Sequence, residues 1–348
     1  MGGNMVGSDS NVKLNYQRTI GMTTMDLGGK GFYYPNDTAI TPDGKIYVLN
    51  RSLEAGGGGR GMRVTICDVK DEFHGDWGTF GPGVGEFMWP SAICLSPDGW
   101  VFIADEHLNK IMIFSENGQL LDEFGTPGSE NGEIDAPSGL VINNQFEIFV
   151  SDTYNDRIQV FSLNGEFIRT IGGSAKLNMP WKISMGPDDH IYVADWANDR
   201  ICLFSQEGDF LTSYGETGTG NGQFMRPSHV ISDEEGYIYV CDWGNERIQV
   251  LDSAGAFIQS HLGSADLSPW AEEFLIGNEE EAESRARTNL HKTDIPYVNP
   301  GDRHEVSGHI EEYFWAPMSM AIHSDGCLYV TESNRHRIQV FEINTMSS

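Results

Sequence analysis

One phrase returns along almost the whole chain: Asp, two residues, Asn, one residue, Arg-Ile, two residues, and then an apolar side chain. It runs from Asp152 to Phe161, from Asp195 to Phe204 and from Asp242 to Leu251, with weaker copies at Asp105 to Phe114 and Glu332 to Phe341. Self-similarity at a regular period marks a repeat architecture and has to be read before any single motif.

Each copy has the same anatomy. A proline opens an apolar stretch, at Pro35, Pro90, Pro137, Pro180, Pro227 and Pro317. A turn follows, usually Asp-Gly or Glu-Gly, as at Asp43-Gly44 and Glu235-Gly236. An alternating run such as His190 to Asp195 comes next, then the Arg-Ile segment, a second turn such as Asn164-Gly165, and a last run such as Glu166 to Ile171. Short runs of β-branched and aromatic residues between Gly and Asp turns read as antiparallel strands. Four strands per repeat make one blade of a β-propeller.

Six prolines predict six blades in a single all-β domain over residues 1–348. The last copy ends at Phe341 without room for a fourth strand. The N-terminal Tyr16 to Gly21 segment matches Phe167 to Gly172 in four of six positions, so residues 11–21 are expected to supply it. Such a latch closes the ring and hides the edges an open sheet would present.

The prolines, the Asp-Gly turns, the Tyr-Val-Ala-Asp195 strand and the Asn-x-Arg-Ile phrases resemble the NHL repeat family of six-bladed β-propellers over nearly the entire chain. That resemblance implies fold and says little about function, because propellers host scaffolds, RNA binders and enzymes alike. An Asp and an Arg five residues apart in blade after blade read as bracing for a tight loop.

Composition narrows the partners. Lys+Arg 22 against Asp+Glu 51 gives a net charge of −29. Nucleic-acid binding needs a basic face to neutralise phosphate, so that role is excluded from the expectation. Five cysteines, Cys67, Cys94, Cys202, Cys241 and Cys327, lie inside apolar runs and read as reduced core residues. The N-terminus has no basic and apolar leader, and no long apolar run occurs, so a cytoplasmic protein without membrane contact is expected.

The departures from the repeat are more informative for function. Twelve residues, 51–62, separate Asn50 from Arg63 and include four consecutive glycines; fifty-three separate Gly263 from Pro317. Loops joining strands two to three, and blade to blade, emerge on one rim of an up-and-down propeller. Both insertions are therefore expected over one channel mouth, with 264–313 as a partly helical lid. Loops of that length in a compact domain are usually functional or disordered. Ser268-Pro269 reads as a capped helix start, and Trp270 and Phe274 share a face that needs apolar cover.

The same rim gathers aromatics. Trp89, Trp181, Trp196, Trp243 and Trp315 are expected around a pocket, with Asn36 and with Arg51 or Arg226 holding an anionic substrate group. Positions one and two after each proline should lie nearest the mouth; three of these are ionisable, Asp37, Lys182 and His229. They are the candidate catalytic groups, His229 as acid–base and Lys182 as stabiliser of negative charge. A solvated channel holding a salt bridge is the alternative.

Within the NHL family the pattern is most similar to the peptidyl-α-hydroxyglycine α-amidating lyase group. In that group zinc histidines directly follow repeat prolines and a calcium lies near an aspartate two after a proline. Asp37 matches the aspartate, which implies a divalent cation, calcium before zinc. No histidine directly follows a repeat proline here, His229 being one residue late, so the zinc site is not reproduced. Rim histidines His107 and His336 and lid histidines His291, His304 and His309 remain as substitutes. The expectation is a small-molecule enzyme of lyase or hydrolase type, the alternative a non-catalytic platform for a protein or ligand.

Overall fold

The computed structural model describes residues 12–24, 29–52, 61–288 and 298–345. Six four-stranded antiparallel sheets are arranged as blades. Their innermost strands begin at Pro35, Pro90, Pro137, Pro180, His229 and Pro317. The second strand of most blades is fully buried, as in Ile148–Asp152, Ile191–Asp195 and Ile238–Asp242, because neighbouring blades cover both faces. The outermost strand is half exposed; Phe210–Tyr214 keeps no residue fully buried. Apolar side chains fill the wedges between blades, which is where the core clusters lie.

Strand β1 (Val12–Ile20) pairs antiparallel with Arg337–Thr345, from Val12 opposite Thr345 to Ile20 opposite Ile338, with a bulge between Tyr16 and Arg18. It is the outer strand of blade six, as the Arg-Thr-Ile-Gly match predicts. Gly21 ends it at φ +95°, where a Cβ would sit 2.2 Å from the Phe32 ring. Only glycine turns the chain there.

Two repeated hydrogen bonds hold the ring together, the first within a blade and the second from one blade to the next. The residue ending the second strand accepts the backbone N–H two positions before the proline that opens its own blade, which fixes the segment entering that blade. Asp105 does so from Met88, Asp152 from Asp135, Asp195 from Asn178, Asp242 from Met225, Glu332 from Trp315, and Asn50 from Tyr33. The repeated arginine holds that carboxylate: Arg157, Arg200 and Arg247 each lie 2.7 Å from their Asp, and Arg337 2.6 Å from Glu332. The Asp–Arg phrase is bracing, and its acids are buried.

The second bond comes from a residue with left-handed backbone in the turn after that strand. Asn109, Asp156, Asp199, Glu246 and His336 have φ between 52° and 55°. They accept the N–H of Ala136, Met179, Arg226, Ala316 and Tyr34, the residue just before each proline, at 2.6–2.8 Å. Any short side chain with an acceptor atom satisfies this geometry.

The described residues of the insertion after blade five do not form one lid. Helix α1 (Pro269–Gly277) starts on Ser268, whose Oγ accepts the Ala271 N–H, with Pro269 at its first position. Trp270 plugs the seam between blades six and one against Phe32 and Phe73, and donates its indole N–H to Asp71 O at 2.7 Å. Phe274 remains 43% exposed, so only one of the two expected apolar contacts is covered. Helix α2 (Glu279–Arg287) is tied back by Arg285 to Glu311 and to Ala265 O. Helix α3 (Arg303–His309) alone reaches the mouth, packing beside Trp243–Asn245. The lid expectation for 264–313 is thus corrected: its larger helical part is a wedge on the seam, held there by Trp270. Of the 51–62 loop, residues 53–60 lie outside the described residues, as does His291.

Candidate functional site

The small residues that follow the prolines are spent on the ring itself. Ser91 Oγ donates to Pro137 O in the next blade, Ser138 Oγ to Pro180 O across a longer 3.4 Å, and Asn36 Nδ2 to Ser91 O at 2.6 Å. Asp37, Lys182 and His229 join this stitching instead of facing the mouth. Lys182 Nζ lies 2.9 Å from Asp37 Oδ2 and donates to Ser91 O at 2.8 Å. Asp37 Oδ2 also accepts the Ile93 N–H and Oδ1 the Thr38 N–H. His229 Nδ1 accepts the Met320 N–H of blade six at 2.9 Å. All three side chains are buried, Lys182 at 2% exposure. Burial pulls the Lys182 ammonium below its usual value, against the pull of Asp37. Burial also lowers His229 to about 4, although Asp37 opposes the shift.

The expected catalytic trio thus forms a buried polar floor, its polar atoms engaged by one another and by backbone groups of neighbouring blades. The same geometry bears on the expected cation. A divalent ion needs oxygen ligands around a free carboxylate, whereas the Lys182 ammonium already occupies the place beside Asp37. Among the described residues no group of three or more His, Cys, Asp or Glu is arranged to hold a metal. The residues at Asp37 do not fit the ion that the lyase resemblance implies.

Above the floor lies a cleft of about 330 Å³. Blade one contributes Tyr34, Asn36 and Arg51; blade four Trp181 and Trp196; blade five Ser228 and Trp243. Blade six adds Ala316, Met318, Ser333 and Asn334, and α3 adds His304. Blades two and three add nothing, so the cleft is off-centre, under α3. The tryptophans form a continuous wall: Trp181 and Trp196 centroids are 5.3 Å apart, Trp196 and Trp243 6.5 Å, and Trp243 and His304 6.1 Å. Trp196 and Trp243 open the same turn in adjacent blades, and Trp181 joins them from the first strand of blade four.

The remaining expected residues fall just outside. Trp89 is stacked under the Arg51 guanidinium at 4.5 Å, and Arg51 itself forms a two-pronged pair with Glu106 at 2.6 and 3.2 Å. Arg226 is exposed and stacked on Trp196 at 4.8 Å. Trp315 packs beside His304 and Arg335.

His304 is the one ionisable group of α3 turned to the cleft. Its Nδ1–H donates to Glu246 Oε1 at 2.5 Å, and its Nε2 accepts the indole N–H of Trp315 at 3.1 Å. These partners fix the neutral tautomer with hydrogen on Nδ1. The bond to Glu246 raises the histidine's pKa, burial working against it. Burial in turn raises Glu246, with His304 opposing. Glu246 stands at the left-handed latch position of blade five. Asp at that position in blades three and four accepts a single N–H; the longer Glu246 gives Oε2 to Ala316 N and keeps Oε1 for His304. Sequence reasoning missed it. The signal was available in the repeat alignment, where a long acid replaces Asn109, Asp156 and Asp199. The α3 C-terminus is held by Arg335, which donates to Ser307 O and to Ile310 O.

Among the described residues no helix is long and apolar enough to cross a membrane. The five cysteines are free, three of them buried.

Comparison with known proteins agrees with this class. Residues 314–341 match the NHL repeat, and residues 177–262 match a family described as 6-bladed beta-propeller. The chain is a six-bladed β-propeller in which residues 314–341 match the NHL repeat. No curated protein matches it in sequence. Among solved structures it is similar to a catalytically inactive virginiamycin B lyase from Staphylococcus aureus bound to quinupristin, at 14% identity and TM-score 0.57, over 95% of this chain and 99% of that one. It is also similar to an auxiliary nutrient binding protein from Bacteroides thetaiotaomicron, at 12% identity and TM-score 0.62, over 96% and 77%. Kuenenia stuttgartiensis hydrazine synthase is a third, at 14% identity and TM-score 0.52, over 92% and 97%. At such identities the likeness speaks for the fold alone.

Proposed function

We propose that the protein is a small-molecule enzyme of lyase or hydrolase type, working in the cleft beneath α3, with His304 as its acid–base group. The observation that supports this most directly is the Glu246–His304 pair at the wall of an aromatic cleft. A carboxylate on Nδ1 orients the ring and stabilises the imidazolium that forms when Nε2 takes a proton. Substrate entry would turn the Trp315 N–H away from Nε2 and free that lone pair. Nε2 then takes a proton from a carbon acid or from water. In the first case the electron pair left behind forms a double bond as the leaving group departs with its own pair; in the second, hydroxide adds to an acyl carbon, and the adduct expels the leaving group, which takes the proton from His304. The tryptophan wall binds the apolar body of the substrate and excludes water. A virginiamycin B lyase on this fold is compatible with the reading and does not carry it.

The specific observation favouring the alternative, a non-catalytic binding platform, is that both His304 nitrogens already have partners. Turnover decides between the two. The wild-type chain would be screened against chromogenic esters, lactones and β-elimination substrates. On any substrate found, His304→Gln should cost at least about 100-fold in kcat, as general-base removal does. Equal rates for His304→Gln and wild type would refute the assignment. Measurable ligand binding with no turnover anywhere in the screen would establish the platform.

A further inference from the structure

The chain carries 51 acidic residues, yet none of the described residues lining the mouth cleft is Asp or Glu. Its lining holds one arginine and one histidine, and each is matched by a carboxylate set outside the lining. Arg51 is held by both oxygens of Glu106, and His304 by Glu246. Arg226 differs. Its backbone N–H goes to Asp199 Oδ1, but among the described residues its guanidinium has no carboxylate at ion-pair distance, and it lies over the Trp196 ring at 4.8 Å. The left-handed backbone at Arg226, φ 50°, is imposed by the blade junction, so the side chain leaves a fixed point on the rim. Stacking on an indole keeps the guanidinium plane fixed while its edge donors stay open to a planar anion. Trp196 is itself part of the cleft wall, so a planar body lying on the tryptophans places a substituent near that edge.

We infer that the cleft selects planar molecules carrying a negatively charged group, such as aromatic carboxylates, and that Arg226 is the residue that reads the charge. This rests on the mouth cleft being the substrate site, though not on catalysis. An anion against a protein of net charge −29 is repelled at long range. Selection therefore has to come from a short-range contact, and Arg226 at the rim of a cleft whose described lining has no carboxylate supplies it.

The test uses the full chain and three probes of one shape: phenylacetate, phenylacetamide and phenethylamine, titrated by calorimetry. Phenylacetate should bind best, and phenethylamine worst. Arg226→Gln should weaken phenylacetate about tenfold, the scale of a charge-assisted hydrogen-bond pair, and leave the amide within twofold. Arg226→Lys should recover part of the loss, which a merely structural role for the stacked side chain would not produce. Arg51→Gln, whose charge Glu106 already matches, should change the anion-to-amide ratio by less than Arg226→Gln. Equal binding of anion and amide by wild type, or an equal loss of both in Arg226→Gln, overturns the charge selection and leaves the cleft standing. Failure of all three probes to bind at millimolar concentration overturns both the selection and the cleft as the ligand site.

Discussion

His229 and His304 belong to the same mouth of the same propeller, and their surroundings drive them in opposite directions. His229 sits in a strand, accepts a backbone N–H from blade six, and is pushed down to about 4 by burial. His304 sits on a short helix above, donates to Glu246, and is pushed up by that bond. The floor is a set of groups whose charges are matched and whose contacts hold blades together. The cleft is a set of partly exposed groups from strand starts, turns and α3. Distance from the channel axis does not separate structural from chemical residues in this ring; whether a side chain spends its polar atoms between blades or turns them to the cleft does.

The sharpest way to break that contrast is Lys182→Met. Removing the ammonium leaves Asp37 buried without its partner, which typically costs about 3–5 kcal/mol. Urea denaturation should show a loss on that scale, and Lys182→Met combined with Asp37→Leu should regain most of it. A single variant as stable as wild type would mean the floor is wet after all, which was the other reading of these residues.

Next in size is the pH dependence. His229 has a folded pKa near 4, below its ordinary 6.5. The unfolded chain therefore binds the proton first, and the stability present above pH 6.5 is lost as pH falls toward 4. His261 and His336, also lowered to about 4 by burial, act in the same direction. His229→Gln should remove on the order of 3 kcal/mol from the stability difference between pH 7 and pH 4. His304 has the opposite sign: its raised pKa contributes stability below its unfolded pKa that is lost as pH rises through the folded value. In an NMR titration the His304 ring should titrate above 6.5 while His229 stays neutral down to near 5. Coincident titrations would erase the distinction between floor and cleft.

Smaller still is the effect of His304→Gln on folding. A half-exposed loop histidine should shift stability by no more than about 0.5 kcal/mol, however large its effect on turnover; a loss of several kcal/mol would make it another structural residue. The smallest expected effect is that of a chelator. With Lys182 beside Asp37, EDTA and added calcium should leave the melting temperature unchanged. A drop restored by calcium would mean that an ion displaces the lysine.

The ring was legible in the sequence almost residue by residue. Tyr16 to Gly21 announced the closing strand, the Asp–Arg phrases announced their own bracing, and Ser268-Pro269 announced the helix start. Periodic burial writes itself into such positions. The site was less legible because sequence position predicts depth in a blade and not which neighbour a side chain meets. Trp181, Trp196, Trp243, Asn36 and Arg51 line the cleft as expected. Asp37, Lys182 and His229 failed the expectation because residues just inside a first strand face the next blade as well as the channel, and the nearest polar partner lies there. His304 could be placed only once α3 had a location, and a fifty-three-residue insertion gives no sequence-level hint of where each part will dock.

The left-handed turn that follows the second strand in blades two to six has one further consequence. Asn, Asp, Glu and His all serve there, because the junction asks for a single acceptor atom and is indifferent to the rest of the side chain. Each of these positions is therefore a socket on the rim of the mouth. A longer acid or an imidazole can be fitted without altering the frame, and its surplus atom faces whatever stands above. Glu246 is one such fitting in use. Asp156 is another where Glu could be installed, giving a designer a way to place a further carboxylate at the mouth of an already closed ring.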